Sequence, residues 1–259
     1  MVLKANGADD QLGLEKTRQE YVNNLVQVCG EIRRVLKPDG TLWLNLGDSY
    51  AKRKAQELKR KDLIGIPWSV ALALQADGWW LRSDIIWNKP NCMTESVSDR
   101  PTRSHEYIFL FTKGEKYYYD ADAIKEPANP KYAARYKYAM PGYNDAVVRP
   151  GQKGKKDTQG GMKKFREFRN KRNVWTISRT TRRNGHGATF PEELPRNCIK
   201  AGSRIGDTVL DPFAGSGTTG KVALELGRKA ILIESNPQYV QLIRDRAWCE
   251  PVGESGITR

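Results

Sequence analysis

The feature that most constrains the fold of this 259-residue sequence is a glycine-rich segment between two predicted strands. The pattern G-x-G-x-x-G begins at Gly215, where an apolar strand meets a helical pattern. The predicted elements here are strand 207–211, helix 218–226, strand 229–234 and helix 237–248. This order predicts an α/β fold with a mostly parallel, doubly wound sheet and helices on both faces, a Rossmann-like arrangement.

The same segment predicts a nucleoside-binding site. Glycines let the backbone turn sharply and let a ligand approach closely, and Glu234 ends the second strand, where an acid can accept hydrogen bonds from both ribose hydroxyls. Asp211 directly precedes the loop, and a carboxylate suits a cationic ligand better than a pyrophosphate. S-adenosylmethionine carries an ammonium and a sulfonium and no phosphate. Charge complementarity therefore favours S-adenosylmethionine over NAD, and a purely structural glycine turn is a third interpretation.

The candidate cofactor-binding residues are the loop and its two flanking acids. Phe213 could pack against the adenine or the methionine part of the cofactor. The full set is Asp211, Phe213, Ala214, Gly215, Ser216, Gly217, Thr218, Thr219 and Glu234.

The first half of the chain also has an alternating order of elements. Helices are predicted over 15–37 and 63–77, and strands over 41–46, 81–87, 107–112 and 117–121; a further helix, 191–201, is predicted in the last third of the chain. Ligands collect at the carboxyl ends of strands in open α/β sheets, so Asp48 and Tyr50, which follow strand 41–46, are weak catalytic candidates. The alternative is that they cap a turn.

A basic region over 126–183 separates these two parts. The formal net charge is +14, and this region crowds lysines, arginines, glycines and aromatic residues together. One interpretation is a solvated insertion, and the other is a surface that contacts the phosphates and bases of DNA. The DNA-binding candidates are Lys155, Lys156, Lys163, Lys164, Arg166, Arg169, Lys171 and Arg172.

Other classes of protein are disfavoured by composition. The four cysteines are far apart and include no C-x-x-C pair, which argues against a metal site or a disulfide framework and fits a reducing compartment. No apolar run has transmembrane length, and no signal-peptide pattern is present. These observations predict a cytoplasmic protein with no metal and no membrane partner.

Segment 209–219 closely resembles the cofactor motif of the DNA amino-methyltransferases, which make N6-methyladenine or N4-methylcytosine. Segments 186–191 and 233–236 resemble the family's stretch before that motif and its ribose-binding strand end. In the catalytic half, 36–50, 84–91 and 104–109 are similar to further family segments. The order follows the permuted β-type arrangement, with the catalytic half at 1–125, the target-recognition region at 126–183 and the cofactor half at 184–259.

The resemblance implies an enzyme that transfers a methyl group from S-adenosylmethionine to adenine N6 or cytosine N4 in double-stranded DNA. It also implies a place in a restriction–modification system or in a phage or prophage, and it is compatible with a homodimer. An NAD-dependent oxidoreductase is the rival enzyme class.

The sequence departs from the family at its catalytic motif, which is Asp, Asn or Ser followed by Pro-Pro and an aromatic residue. This motif occurs nowhere in the chain, so the catalytic residue is unknown. The hypothesis is an enzyme shortened at its N-terminus, with low activity and a gap at the centre of its sheet that residues 1–4 could partly fill. The alternative is a remnant that still binds cofactor and DNA.

Overall fold

The computed structural model describes residues 12–52, 58–132, 167–179 and 191–245. The chain divides into two compact units, the first formed by Met1–Asp120 with Arg172–Arg259 and the second by Ala121–Lys171. The second unit overlaps the predicted basic region, and the division into functional domains stays a prediction. Within the described residues, no helix is long and apolar enough to cross a membrane.

The strands at 126–127, 168–169 and 174–176 were not predicted from the sequence, and the predicted strand at 117–121 is absent. The other helices and strands of the described residues follow the predicted order, with small shifts at their ends. The helices are α1 (Arg18–Val35), α2 (Ile66–Ala76), α3 (Glu193–Gly202), α4 (Thr218–Glu225) and α5 (Pro237–Asp245). The strands are β1 (Thr41–Leu46), β2 (Trp80–Asn88), β3 (His105–Thr112), β4 (Glu126–Pro127), β5 (Phe168–Arg169), β6 (Val174–Thr176), β7 (Thr208–Asp211) and β8 (Lys229–Leu232).

Helix α1 begins where its sequence provides a capping box. Thr17 Oγ1 accepts a hydrogen bond from the Glu20 amide at 3.1 Å, and Glu20 Oε2 accepts one from the Thr17 amide at 3.2 Å. These two bonds satisfy amides that the first turn of a helix leaves without partners. The T-x-x-E pattern therefore fixes the start of α1 at Arg18, three residues after the predicted helix began.

The larger sheet of the first unit has the strand order β1-β3-β2-β6. Strand β3 pairs antiparallel with both β1 and β2, whereas β6 pairs parallel with β2. Three of these four strands therefore share one direction, as the prediction of a mostly parallel sheet requires, and β3 makes the sheet mixed.

Helices pack on both faces of this sheet, as predicted. Because neighbouring residues of a strand point to opposite faces, Phe109 and Phe111 face one side and Ile108 the other. The first face packs against α1 and α2, through Val22, Leu25, Cys29, Val70, Ala71 and Leu74. The second face packs against α3, through Ile85, Trp87, Ile108, Trp175, Leu194 and Cys198. Full burial of a side chain such as Phe109 contributes about 1.5–3 kcal/mol.

Helix α3 connects the larger sheet to the cofactor half. Its Ile199 packs with Val222 and Ala223 of α4, and the end of the helix lies against β1. A Cβ atom at Gly202 would lie 2.6 Å from Trp43 Nε1, which is a steric clash. Glycine avoids this clash because it has no Cβ atom. This close approach brings the start of β7 near the turn before β1, where Lys37 and Asp207 form an ion pair of 2.7 Å.

The smaller sheet of the first unit is the predicted β-α-β element. Strands β7 and β8 run parallel, in a register that pairs Asp211 with Leu232, and α4 connects them. In the described part of the chain, β1 and β7 each have a single strand neighbour, β3 and β8 respectively. The strand candidate at 1–4 lies outside the described residues.

The described residues of the second unit form a short antiparallel pair. Glu126 pairs with Arg169 in β4 and β5, and their side chains make an ion pair of 2.8 Å.

One predicted strand is wrong. Residues 117–121 form no strand, because their backbone groups bond to a turn and to a helix end. The Tyr118 amide donates to the Asp39 carbonyl at 2.8 Å, and the Asp120 amide donates to the Ala201 carbonyl at 2.8 Å. The tyrosine-rich run passes over the sheet and stacks Tyr119 on Trp43 at a centroid distance of 6.5 Å.

Candidate active site

The glycine loop turns back from the end of β7 and is held against the end of β8. The Asp211 carboxylate accepts a hydrogen bond from the Phe213 amide at 3.0 Å, and the Ala214 amide donates to the Ile233 carbonyl at 3.0 Å. Gly215 and Gly217 have φ angles of +52° and +77°, a left-handed conformation that glycine adopts without strain. The two glycines are therefore required by the shape of the turn.

Glu234 lies next to this loop, where the sequence predicted it. Its Oε2 atom accepts a hydrogen bond of 2.7 Å from the Gly215 amide, and its Oε1 atom accepts one of 2.8 Å from the Asn236 amide. Each carboxylate oxygen has two lone pairs, so both oxygens can accept a further hydrogen bond. The side chain is thus fixed in position and still able to bind two hydroxyl groups.

The N-terminus of α4 opens at the same edge. Gly217 is the N-cap residue, and in the described chain no group accepts a hydrogen bond from the amides of Thr218, Thr219 and Gly220. Free amides and the positive end of the helix dipole attract a carboxylate. Phe213 extends outward beside them, with 51 % of its surface exposed.

This donor set fits S-adenosylmethionine. The cofactor has two ribose hydroxyls, an ammonium, a carboxylate and an adenine ring. Against these the loop presents Glu234, Asp211, the α4 amides and the Phe213 ring. The structure therefore brings the nine predicted cofactor-binding residues together at one edge, with Ser216 and Thr218 buried beneath the turn.

At the carboxyl end of β1 in the larger sheet, groups of the protein itself occupy the position that corresponds to the glycine-loop site. Asp48 follows β1, and its Oδ1 atom accepts hydrogen bonds from the amides of Gly65 at 2.9 Å and Ile66 at 3.1 Å, at the start of α2. The side chain is only 4 % exposed, and Arg103 lies 3.9 Å away. This geometry favours the capping interpretation of Asp48 over the catalytic one.

Tyr50 is covered in a similar way. The Arg100 guanidinium lies 3.6 Å from the centre of its ring, a cation–π contact, and Arg100 is itself paired with Glu95. One face of the phenol ring is therefore occupied by the protein.

A polar cluster that the sequence did not assign to the site lies beyond β2 and β3. Lys89 forms an ion pair with Glu106, and its Nζ atom lies 4.3 Å from the centre of the Trp87 ring. His105 is next to this pair, and burial, followed by the positive charges of Arg103 and Lys89, lowers the pKa of its imidazole. The resemblance of segments 84–91 and 104–109 to the family was the sequence signal for this cluster. The sequence did not show that Lys89 and Glu106 would meet, because they come together only when β2 and β3 pair.

Comparison with known proteins decides the family. A family model described as DNA methylase, of the N6 and N4 type, matches residues 4–245. The type II methyltransferase M.SmaI of Serratia marcescens is 45% identical, over 94% of this chain and 80% of its own length. The type II methyltransferase M.Cfr9I of Citrobacter freundii is 44% identical, over 94% of this chain and 77% of its own length. The chain belongs to the N6/N4 DNA methylase family.

Solved structures show the same fold. The cytosine-N4-specific PvuII DNA methyltransferase has a TM-score of 0.64 at 20% identity and covers 96% of this chain and 77% of its own. The complex of M1.HpyAVI with S-adenosylmethionine has a TM-score of 0.52 at 21% identity and covers 86% of this chain and 82% of its own. The predicted fold class and the predicted methyltransferase family are confirmed.

The methylase thus uses S-adenosylmethionine to methylate an amino group in DNA, and the predicted cofactor is confirmed. None of these comparisons supports the NAD-dependent oxidoreductase or the inactive remnant. The family's Pro-Pro-aromatic pattern is not present in the sequence of this methylase, and its catalytic residue stays unknown.

Of the predicted DNA-binding residues, three lie in the described chain. Arg169 is paired with Glu126, and Lys171 and Arg172 follow it. The others lie outside the described residues, namely Lys155, Lys156, Lys163, Lys164 and Arg166. His186 also lies outside them. The DNA contacts of the methylase therefore stay predictions.

Proposed function

We propose that the methylase holds S-adenosylmethionine between Asp211, the loop 213–219 and Glu234. Glu234 binds the ribose hydroxyls, Asp211 attracts the cationic methionine part, and the amides at the start of α4 receive its carboxylate. The observation that supports this arrangement is the 2.7 Å bond from the Gly215 amide to Glu234, which fixes the acid beside the loop.

The chemistry requires an accessible amine and a well-placed methyl donor. The target atom is buried in the base stack of duplex DNA, so the base must leave the stack. When bound, the cofactor supplies an electrophilic methyl group. The amine nitrogen would bond to the methyl carbon as the carbon–sulfur bond breaks, leaving the neutral thioether S-adenosylhomocysteine, and would release one proton to solvent. The residues of this chain contribute by fixing the cofactor, because a correctly oriented donor lowers the barrier through proximity.

DNA binding is proposed for the basic region 126–183. Its lysines and arginines would neutralise phosphates, so the affinity for double-stranded DNA should fall steeply as salt rises. A homodimer and a cytoplasmic location, both suggested by the sequence, are part of the same proposal. Analytical ultracentrifugation of the protein with and without a DNA duplex tests the dimer.

The test of the cofactor site is a methyl-transfer assay with labelled S-adenosylmethionine on unmethylated DNA, combined with calorimetry of S-adenosylhomocysteine. We expect Glu234→Gln to weaken S-adenosylhomocysteine binding by about tenfold, since a hydrogen bond to a charged group contributes about 1.5–3 kcal/mol. Glu31→Gln, on the exposed surface of α1, is the control. Unchanged binding by Glu234→Gln would overturn the proposed site.

The same assay separates the enzyme from a remnant. Because the Pro-Pro-aromatic pattern is missing from the sequence, a chain that binds S-adenosylhomocysteine and DNA but transfers no methyl group would support the remnant. Nucleoside analysis of the product identifies N6-methyladenine or N4-methylcytosine. Asp48→Asn and Tyr50→Phe, tested in the same assay, decide whether either residue acts in transfer.

A further inference from the structure

Four charged side chains form a closed ring between α3 and α4, here called the charge ring: Glu192, Arg196, Lys221 and Glu225. Lys221 Nζ lies 2.7 Å from Glu192 Oε1 and 3.6 Å from Glu225 Oε1. Arg196 Nη2 is hydrogen-bonded to Glu225 and lies 3.8 Å from Glu192 Oε2. Each acid thus contacts both cations, and the four charges cancel.

The charge ring lies at a structurally sensitive place. Glu192 is the N-cap residue of α3, whereas Lys221 lies in the first turns of α4, directly after the glycine loop. The apolar contact between these helices involves Ile199, which is farther along α3. The ring therefore joins the start of α3 to α4 at Lys221 and at Glu225, the last residue of that helix.

Local helix energetics do not explain Lys221. A cation near a helix N-terminus is opposed by the helix dipole, and a lysine four residues before a glutamate is the less favourable orientation of such a pair. Glu192 compensates from the neighbouring helix, and its hydrogen bond raises the pKa of Lys221. Arg196, through its hydrogen bond, lowers the pKa of Glu225. The lysine at this position is thus stabilised by tertiary contacts.

We propose that the charge ring is a positioning device for the cofactor site. It holds α4, and with it the glycine loop at the start of that helix, in the conformation that binds S-adenosylmethionine. This inference rests on the cofactor site proposed above. A single exposed ion pair contributes little, but four contacts in a closed network act together on α3 and α4.

The test reverses charges and measures cofactor binding directly. Lys221→Glu places three acids side by side, so the start of α4 should shift away from α3. We expect the Kd for S-adenosylhomocysteine to rise by about fivefold, and a milder Lys221→Gln to raise it by about twofold, corresponding to about 1 and 0.4 kcal/mol. The fourfold variant Glu192→Lys, Arg196→Glu, Lys221→Glu, Glu225→Lys restores every attraction with opposite signs and should recover wild-type affinity.

The control is Arg34→Glu, which creates a like-charge contact with Glu31 on α1, away from the loop. All measurements are made below the unfolding temperature of each variant, and the Kd for duplex DNA is measured alongside. Loss of thermal stability without a change in the S-adenosylhomocysteine Kd would show a merely structural ring and overturn the inference, as would failure of the fourfold variant to recover affinity. If Glu234→Gln leaves binding unchanged, the cofactor site itself is wrong; if only the ring variants have no effect, the site stands and the ring inference fails.

Discussion

Helices α2 and α4 begin in the same way but differ in what occupies their N-termini. Each has an N-cap glycine in the left-handed conformation, Gly65 with φ 78° and ψ 25° and Gly217 with φ 77° and ψ 23°. Each also belongs to an edge with an aspartate at a strand end, Asp211 as the last residue of β7 and Asp48 two residues after β1. At α2 the Asp48 carboxylate accepts hydrogen bonds from the Gly65 and Ile66 amides. At α4 the Asp211 carboxylate accepts instead from the Phe213 amide, within its own turn.

The difference shows that the same glycine N-cap can either be closed by the protein or be left open for a ligand. The protein itself satisfies the first amides of α2, so Asp48 stabilises the fold and leaves little capacity for a ligand. The first amides of α4 have no acceptor among the described residues, and two half-exposed acids lie beside them. Free amides at a helix N-terminus attract an anionic group, so this edge, unlike the one at α2, leaves capacity for the cofactor proposed above.

The largest expected effect is on cofactor affinity at Asp211. Asp211→Asn keeps the size of the side chain and removes its charge, so we expect S-adenosylhomocysteine to bind about tenfold to hundredfold more weakly, because a charged hydrogen bond contributes about 1.5–3 kcal/mol. The melting temperature should stay close to that of the wild type, since the carboxylate accepts one hydrogen bond from its own turn. Calorimetry and thermal unfolding measure the two quantities. A large drop in stability with unchanged affinity would make Asp211 equivalent to Asp48.

The opposite result is expected at the other edge. Asp48→Ala leaves the Gly65 and Ile66 amides without their acceptor, and loss of such a cap costs about 2 kcal/mol of unfolding free energy. The Kd for S-adenosylhomocysteine should change less than twofold, because Asp48 belongs to the fold. Chemical denaturation gives the stability, and calorimetry gives the affinity. If Asp48→Ala instead abolished methyl transfer in a stable protein, its catalytic interpretation would regain support.

The candidate cofactor site could be predicted from the sequence because its parts are close together in the chain. Strand, glycine loop, helix and acid follow one another between Asp211 and Glu234, so local patterns alone place them. The single helix between β7 and β8 also settles their parallel direction. Even here the sequence did not show that Glu234 would accept the Gly215 amide.

The other edge was not readable, because its contacts join distant parts of the chain. Asp48 looked like either a cap or a catalytic group until α2 placed Gly65 against it. The antiparallel insertion of β3 between β1 and β2 follows from strand pairing that no local pattern specifies. The charge ring was missed for the same reason, since Glu192 and Lys221 meet only after α3 and α4 pack. The wrongly predicted strand at 117–121 shows the opposite failure. Its aromatic residues have the local pattern of a strand, but distant contacts with a turn and a helix end determine its backbone hydrogen bonds.

A smaller effect should separate two left-handed glycines, Gly65 at the α2 cap and Gly215 in the glycine loop. A Cβ atom at Gly65 would meet nothing within 4 Å, so Gly65→Ala adds only the cost of a left-handed backbone, about 1 kcal/mol, and leaves cofactor affinity unchanged. Gly215→Ala carries a similar backbone cost, and its new Cβ would be 4.0 Å from the Phe213 carbonyl. In the proposed site the cofactor approaches this turn closely, so we expect Gly215→Ala also to weaken S-adenosylhomocysteine binding. Equal affinity in both variants would show that the loop is no contact surface.

The smallest expected effect is electrostatic and uses His105 as a probe of the Asp48 edge. Burial and the charges of Arg103 and Lys89 lower the pKa of His105, whereas the Asp48 carboxylate raises it. Asp48→Asn should therefore lower this pKa further, and Arg103→Gln should raise it. NMR titration measures both shifts, with His186→Asn as the assignment control.

Because the pKa of His105 in the folded protein lies below the ordinary value of about 6.5, the unfolded state takes up a proton first as pH falls. The His105 contribution to stability is then complete above that value and is lost below it, so the free energy of unfolding should fall less between pH 7 and pH 5 in His105→Gln than in the wild type. If neither Asp48→Asn nor Arg103→Gln moved the titration, solvent would screen these charges, and the edge would be more open than the buried Asp48 cap requires.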